Sequence, residues 1–291
     1  MFALGPEQID AFNEDGFIVV DKLVEPETVE CLRTSYERLF RGVFETGVQP
    51  DEVNWQEGRD SEDLTRQICN GWKADRRVAA TVLRRDIARA IGALSGWPGV
   101  RIMSDNVLWK PPGARPLGFH QDNAYLAWFR PQELMSCWIA LDDTTAEGGT
   151  MELVRGSHRW AHAPLEGAFH GPSDYRRYME RAAAVEGVTP EIVPVVVPRG
   201  GGAFHHGWTW HGSGFNNSSN QRRSLVLHAM SSKAQFVPER LGEGTGPIYG
   251  RYRKLHGTEM DENHFPILWS RDGHRTKGLD AYLAAGSAEQ P

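Results

Sequence analysis

Cysteine is scarce: the chain has three in 291 residues, Cys31, Cys69 and Cys137. An odd number without CxxC spacing excludes a disulfide framework and a thiolate zinc site, and fits a reducing compartment. Excess positive charge is lacking too. Thirty-two Lys+Arg against 38 Asp+Glu leave a net charge of −6 and a pI near 6.0, the wrong sign for a protein built around phosphate contacts. No apolar run approaches the roughly 20 residues of a membrane span; the strongest, IVPVVVP, starts at Ile192. The first residues, MFALGPEQIDAFNEDG, lack the basic and apolar regions of a signal peptide. Repeats and low-complexity tracts are also missing. These absences predict a soluble, cytoplasmic globular protein with a small-molecule partner, no nucleic acid and no membrane. Oligomeric state is not readable.

With 40% hydrophobic and 24% charged residues, the chain can bury a sizeable core. Gln8–Asn13 reads as a short helix, stopped by Asp15-Gly16 and followed by a strand at Phe17–Val20. Pro26 opens a second helix, whose Val29, Leu32, Tyr36 and Leu39 share one face. A third is expected over Asp75–Leu94, with Val78, Val82, Leu83, Ile87 and Ile91 in a stripe and Gly96 as its stop. From about Val100 the segments become short, β-branched and aromatic. Candidate strands are Arg101–Lys110, Leu117–Asp122, Leu134–Asp142, Thr150–Val154, Ile192–Val197, Gly202–His206, Thr209–Ser213 and Arg222–Met230, with a helical insertion at Ser173–Glu186. Many short strands separated by turn signals predict a sandwich or barrel. The expectation is one domain over 1–291: a helical first third, a β core at about 100–230 and a C-terminal extension at 231–291.

Chemistry first shows at His120-Gln121-Asp122. Strand alternation sends His120 and Asp122 to one face, roughly 7 Å apart along the backbone, where both can reach one metal ion. A chain of this composition holds about 0.6 such tripeptides by chance, so the pattern needs support from elsewhere. His211-Gly212-Ser213-Gly214 supplies it. After the polar turn Asn216–Asn220, a hairpin would return Arg222 alongside His211. Arg222, Ser224 and Val226 then share one face, and Leu225 and Leu227 the other. An inward arginine requires an anion, and a bound carboxylate satisfies it bidentately. The competing reading has Arg222 in solvent and Arg223 as the residue that matters. Two histidines and an aspartate form the facial triad of non-heme iron(II) oxygenases, with three metal positions left open.

The order HxD, distal His in an HGSG segment, then Arg eleven residues later resembles the phytanoyl-CoA dioxygenase family of iron(II)/2-oxoglutarate enzymes. Flanking text resembles it as well: Asn13-Glu14-Asp15-Gly16-Phe17, Lys110-Pro111-Pro112-Gly113, Glu147-Gly148-Gly149-Thr150 and Gly156-Ser157-His158. The likeness covers about residues 6–230 and the Phe265–Trp269 patch. It implies a double-stranded β-helix, a mainly β jelly-roll barrel with flanking helices. It implies iron ligation by His120, Asp122 and His211, and Arg222 on the 5-carboxylate of 2-oxoglutarate with Ser213 beside it. Trp138 and Asn106 match cosubstrate-contacting positions, and O₂ is the second cosubstrate. Alternation supports Trp138 independently, since Cys137, Ile139 and Leu141 form an apolar face and Trp138 must look the other way. Halogenases that resemble this family carry a small residue where Asp122 stands, so the carboxylate speaks against halogenation.

Tyr125, Trp128 and Phe129, on the connection leaving the HxD strand, read as substrate contacts, because loops at a barrel mouth carry specificity. His205 and His206 compete with His211, but only His211 has the arginine at the right spacing. His158, His162 and His170 read as surface residues of an insertion, and Trp208 and Trp210 as either cavity wall or core. The activity expected is hydroxylation of an unactivated C–H in a small metabolite, with succinate and CO₂ as co-products. Desaturation, epimerisation and oxidative cyclisation remain open on the same centre. A nucleic-acid demethylase is opposed by the charge, and a passive ligand-binding barrel by the joint presence of ligands and anchor.

Overall fold

Alternation along four long strands explains most of the architecture. In the computed structural model, which describes residues 2–287, β-strands build one large and one small sheet that face each other. The strands are β1 (Phe17–Val20), β2 (Glu52–Val53), β3 (Arg66–Cys69), β4 (Gly99–Lys110), β5 (Leu117–His120), β6 (Phe129–Arg130) and β7 (Met135–Ala140), followed by β8 (Met151–Val154), β9 (Ile192–Pro194), β10 (Gly202–His206), β11 (His211–Ser213), β12 (Arg222–Ser231), β13 (Gln235–Phe236) and β14 (Ile267–Ser270). The large sheet runs β1-β10-β7-β12-β4-β3-β2, with β14 also on β4, and the small one β5-β11-β8-β9. β6 and β13 pair separately. The arrangement is a double-stranded β-helix, the jelly roll expected.

Each large-sheet strand sends alternate residues to two different cores. Cys137, Ile139, Phe204, Leu225 and Leu227 point outward into a core shared with the helices. Trp138, Ala140, Ala203 and Val226 point inward and meet Met151 and Leu153 of the small sheet. The outer core takes the apolar faces of α1 (Pro6–Asp15), α2 (Pro26–Phe40), α3 (Arg76–Val82) and α4 (Arg85–Ser95). Val29, Leu32 and Tyr36 have no exposed surface, and burial of each of the two aliphatic side chains is worth about 1.5–3 kcal/mol. Gly16 closes α1 at φ 81°, and its N–H donates to the Phe12 carbonyl. A Cβ there would lie 2.3 Å from the His158 ring, so both conformation and packing require glycine.

Two expectations change. The single helix over Asp75–Leu94 is two, because Arg84 is extended (φ −65°, ψ 131°). Its guanidinium donates to the Leu23 carbonyl at 2.7 Å and pairs with Asp86 at 2.7 Å, a local geometry the continuous apolar stripe does not reveal. The C-terminal extension is also more than a tail. β14 joins the large sheet, and Phe265 enters a satellite core with Trp128, Phe129, Phe236 and Tyr249. The other helices are α5 (Arg177–Glu186) in the expected insertion, α6 (Gly246–Tyr249) and α7 (Leu279–Ser287). No helix among the described residues is long and apolar enough to cross a membrane.

Candidate active site

The small sheet aligns two histidines. His211 on β11 and His120 on β5 are direct cross-strand partners, with ring centroids 4.2 Å apart. Close approach of the strands is possible because Gly212 lacks a side chain; a Cβ would sit 2.6 Å from the Phe119 ring. Each imidazole has its tautomer set from behind. His120 Nδ1–H donates to the Gly118 carbonyl and His211 Nδ1–H to the Thr209 carbonyl, both at 2.9 Å. Both Nε2 atoms therefore keep their lone pairs, and both face Asp122 Oδ1, at 3.4 and 3.5 Å. β5 ends at His120 rather than Asp122, which instead opens a 3₁₀ turn to Tyr125. The turn still delivers the carboxylate: one donor atom from each of His120, Asp122 and His211 lies within 4.8 Å of the others. Two imidazoles and a carboxylate fit a divalent first-row metal such as iron(II).

The large sheet supports that carboxylate from the opposite side. Ser104, His228, Ser136 and His205 form one cross-strand row over β4, β12, β7 and β10. Ser136 Oγ lies 2.9 Å from Asp122 Oδ2, and His205 Nε2 3.3 Å from the same oxygen. Behind Ser136, His228 Nδ1 is 2.8 Å from the hydroxyl, and Asn106 Nδ2 is 3.0 Å from His228 Nε2. Every donor is matched if the Asn106 amide donates to His228, His228 to Ser136 and Ser136 to Asp122. Burial lowers the His228 pKa to about 4, which keeps the ring neutral in this chain of bonds. Burial works against the charge on Asp122, but the surrounding His211, His228, His120 and His205 rings hold its carboxyl well below the usual range. Burial, reinforced by the adjoining His120 ring, pushes the His211 pKa well below that of a free imidazole. Ser136 and His228 escape a reading of motifs, and His205, a competing ligand in the sequence, instead supports Asp122. His228 was within reach, because it continues the Arg222, Ser224, Val226 face.

Arg222 points inward. It is 3% exposed, and among the described residues its guanidinium meets only neutral oxygens: Gly149 O at 3.2 Å, Ser224 Oγ at 3.1 Å and Ser213 Oγ at 3.4 Å. Desolvation lowers its pKa to about 10, leaving it charged at neutral pH. Arg223, on the other face, is consumed by Asp142 through Nε at 3.0 Å and Nη2 at 2.8 Å. Lys110, which has no role in the sequence beyond its flanking motif, is fully buried and donates to Ser213 Oγ at 2.8 Å and to the Gly214 carbonyl. Burial, and then the Arg222 charge, depress its pKa strongly. A buried cation with no carboxylate partner fits the far carboxylate of 2-oxoglutarate. The space between Arg222 and the triad is a narrow pocket of about 60 Å³, lined also by Asn106, Trp138 and Ser213.

A larger cavity of about 330 Å³ opens on the other side of His120 and Asp122. Tyr125 lines it, with its ring centroid 5.9 Å from that of His120. Trp128 and Phe129 do not. They are 0% and 1% exposed in the satellite core, where Trp128 stacks on Tyr249 and donates from Nε1 to Thr245 Oγ1 at 2.9 Å. Their expected place on the substrate wall is corrected: the C-terminal extension covers them and contributes Gly244, Thr245, Ile248 and Tyr249 to the wall instead. His170 is corrected in the other direction. It and Phe169 line the cavity, and no periodicity could show this because they lie outside regular structure. His158 is half-buried against His206, His162 is exposed and stacks on Trp208, and Trp210 is core.

The sequence profile of the phytanoyl-CoA dioxygenase (PhyH) family matches residues 12–224. Human peroxisomal phytanoyl-CoA dioxygenase is 24% identical over 94% of this chain and 82% of its own. A probable alpha-ketoglutarate-dependent hypophosphite dioxygenase of Stutzerimonas stutzeri is 25% identical over 88% of this chain and 85% of its own. Among solved structures, the non-heme alpha ketoglutarate-dependent carbocyclase SnoK of nogalamycin biosynthesis superposes with a TM-score of 0.70 at 22% identity, covering 91% of this chain and 96% of that one. The epimerase SnoN in complex with Fe3+, alpha ketoglutarate and nogalamycin RO gives 0.68 at 20% identity, over 90% and 98%.

Proposed function

Because the chain belongs to the phytanoyl-CoA dioxygenase family, it is a non-heme iron(II)- and 2-oxoglutarate-dependent dioxygenase, and we propose that it hydroxylates an unactivated C–H bond of a small organic metabolite at a centre built from His120, Asp122 and His211. Iron(II), when bound, supplies the oxidation itself, with O₂ and 2-oxoglutarate consumed and succinate and CO₂ released. The protein's share is geometric. Gly118 and Thr209 carbonyls fix the two imidazoles, the Ser136 hydroxyl and His205 hold Asp122 Oδ2, and Oδ1 is left facing both Nε2 atoms. Arg222 and Ser213 take the far carboxylate of 2-oxoglutarate, with Trp138 and Asn106 on the walls of the same pocket. The observation that carries this reading is a convergent donor set facing a buried arginine without a carboxylate.

The test is succinate release from iron(II) and 2-oxoglutarate across a metabolite panel, with products identified by mass. A gain of one oxygen atom supports hydroxylation. Products of unchanged mass or two hydrogens lighter would instead mark epimerisation, or desaturation and cyclisation. Three free cysteines agree with a reducing compartment, which is read as the cytoplasm.

A further inference from the structure

The 330 Å³ cavity has a solvent-exposed carboxylate, Glu52, in its wall. Glu52 lines it from β2, and the strands beside it set its distance from the centre. Glu52 pairs with Cys69 on β3, and Cys69 with Asn106 on β4. Two strand spacings put Glu52 about 10 Å along the sheet from Asn106, which touches His228 behind Asp122. The adjacent Asp51 is satisfied elsewhere, by Lys73 at 2.9 Å and Arg251 at 2.6 Å. Glu52 has no ion-pair partner among the described residues; its one hydrogen bond is the Cys69 thiol donating to Oε2 at 3.5 Å. Burial and the Glu52 charge push that thiol well above its usual pKa, so it stays neutral and cancels nothing.

Among the described residues, the remaining wall contains no lysine or arginine. Its apolar part comes from Met103, Leu126, Leu134 and Ile248, with the Phe169 and Tyr125 rings near the metal end. Phosphate-rich ligands such as CoA thioesters require cationic partners, and this wall offers none. The volume stands at the small end of the roughly 300–1,000 Å³ of ligand pockets.

Resting on the dioxygenase reading of the same centre, we propose that the substrate is a compact metabolite with an apolar body and a protonated amine that seats against Glu52. The apolar body lies along Met103, Leu126, Leu134 and Ile248, and the C–H to be oxidised lies beside His120 and Asp122.

The experiment uses the full chain loaded anaerobically with iron(II) and 2-oxoglutarate, and calorimetric titration with cyclohexylbutylamine, cyclohexylbutanol, cyclohexylbutanoate and butanoyl-CoA. The amine is expected to bind about two- to fivefold more tightly than the alcohol, and the carboxylate and the thioester more weakly than the alcohol. In Glu52→Gln the preference for the amine disappears, while 2-oxoglutarate binding and the circular dichroism spectrum stay as in the wild type. The proposal is overturned if the carboxylate or the thioester binds best, if all four bind equally or none binds, or if the preference survives in Glu52→Gln. Loss of 2-oxoglutarate binding in the starting sample would instead contradict the dioxygenase reading, so the two failures are separable.

Discussion

The Ser136 hydroxyl donates to Asp122 Oδ2 across 2.9 Å, joining the large sheet to the carboxylate that the small sheet presents. The bond leaves Oδ1 as the oxygen that faces both histidines. Ser136→Ala removes it and leaves His205 at 3.3 Å and the more distant His228 at 3.7 Å from Oδ2. Iron(II) affinity should fall 10- to 100-fold, the usual cost of losing a group that orients a ligand, and Ser136→Thr should restore it. Anaerobic iron titration reads this directly; an alanine variant with wild-type affinity would show that Asp122 needs no such support.

The two histidine readings separate cleanly. His211→Ala should abolish iron binding and succinate release with the circular dichroism spectrum intact. His206→Ala should retain both, because no atom of His206 joins the converging set. Asp122→Gly should stop hydroxylation for want of the third ligand. Iron content beside turnover, measured on each variant, decides the assignment; iron retained in His211→Ala would refute it.

Tyr125 and Trp128 lie three residues apart and should behave oppositely. Trp128→Ala empties a fully buried site and should cost about 3–5 kcal/mol of stability, visible as a lower urea midpoint. Tyr125→Ala, on the cavity wall, should alter substrate KM or product position while the midpoint moves little.

Asp105 should give the fold a pH dependence of its own. Burial raises its pKa to about 7, against the pull of the Trp72 and Gly71 N–H groups. The folded chain therefore keeps this proton up to about pH 7, whereas the unfolded chain releases it near pH 4. Its contribution is complete below about pH 4 and is lost as the pH rises through 7. His228 titrates in the opposite sense: its folded pKa of about 4 makes stability grow as the pH passes upward through the unfolded value. Urea unfolding from pH 4 to 8 should thus be compared between wild type and Asp105→Asn, which share His228. Wild type should lose stability relative to Asp105→Asn as the pH rises across this range. A difference independent of pH, or one that grows in favour of wild type, would contradict the account.

Much of this was legible in the chain itself. Period-two alternation alone separates Trp138 from Cys137 and Ile139, and Arg222 from Leu225, and the structure sends these residues to the inner and outer cores. HxD and HGSG spacing picked out the three side chains that converge. What stayed hidden depends on contacts between distant segments. Ser136 and His205 face Asp122 only because β7 and β10 pair in one register. Trp128 looked like a mouth residue because nothing local shows that Thr245 and Tyr249, over a hundred residues later, close over it. Arg84 breaks a helix whose apolar stripe runs straight through the break.

The central claim is that Arg222, and not Arg223, anchors 2-oxoglutarate beside the iron ligands. The most direct test is 2-oxoglutarate titration of the iron-loaded protein without O₂, for wild type, Arg222→Ala, Arg222→Lys and Arg223→Ala. Removing one partner of a desolvated charged pair costs about 2–5 kcal/mol, so Arg222→Ala should weaken binding roughly 30- to several-thousand-fold. Arg222→Lys should recover part of this, keeping the charge without the bidentate fork. Arg223→Ala should leave the affinity nearly unchanged, because that side chain is spent on Asp142. Weakened binding in Arg223→Ala alone, or wild-type affinity in Arg222→Ala, would contradict the account.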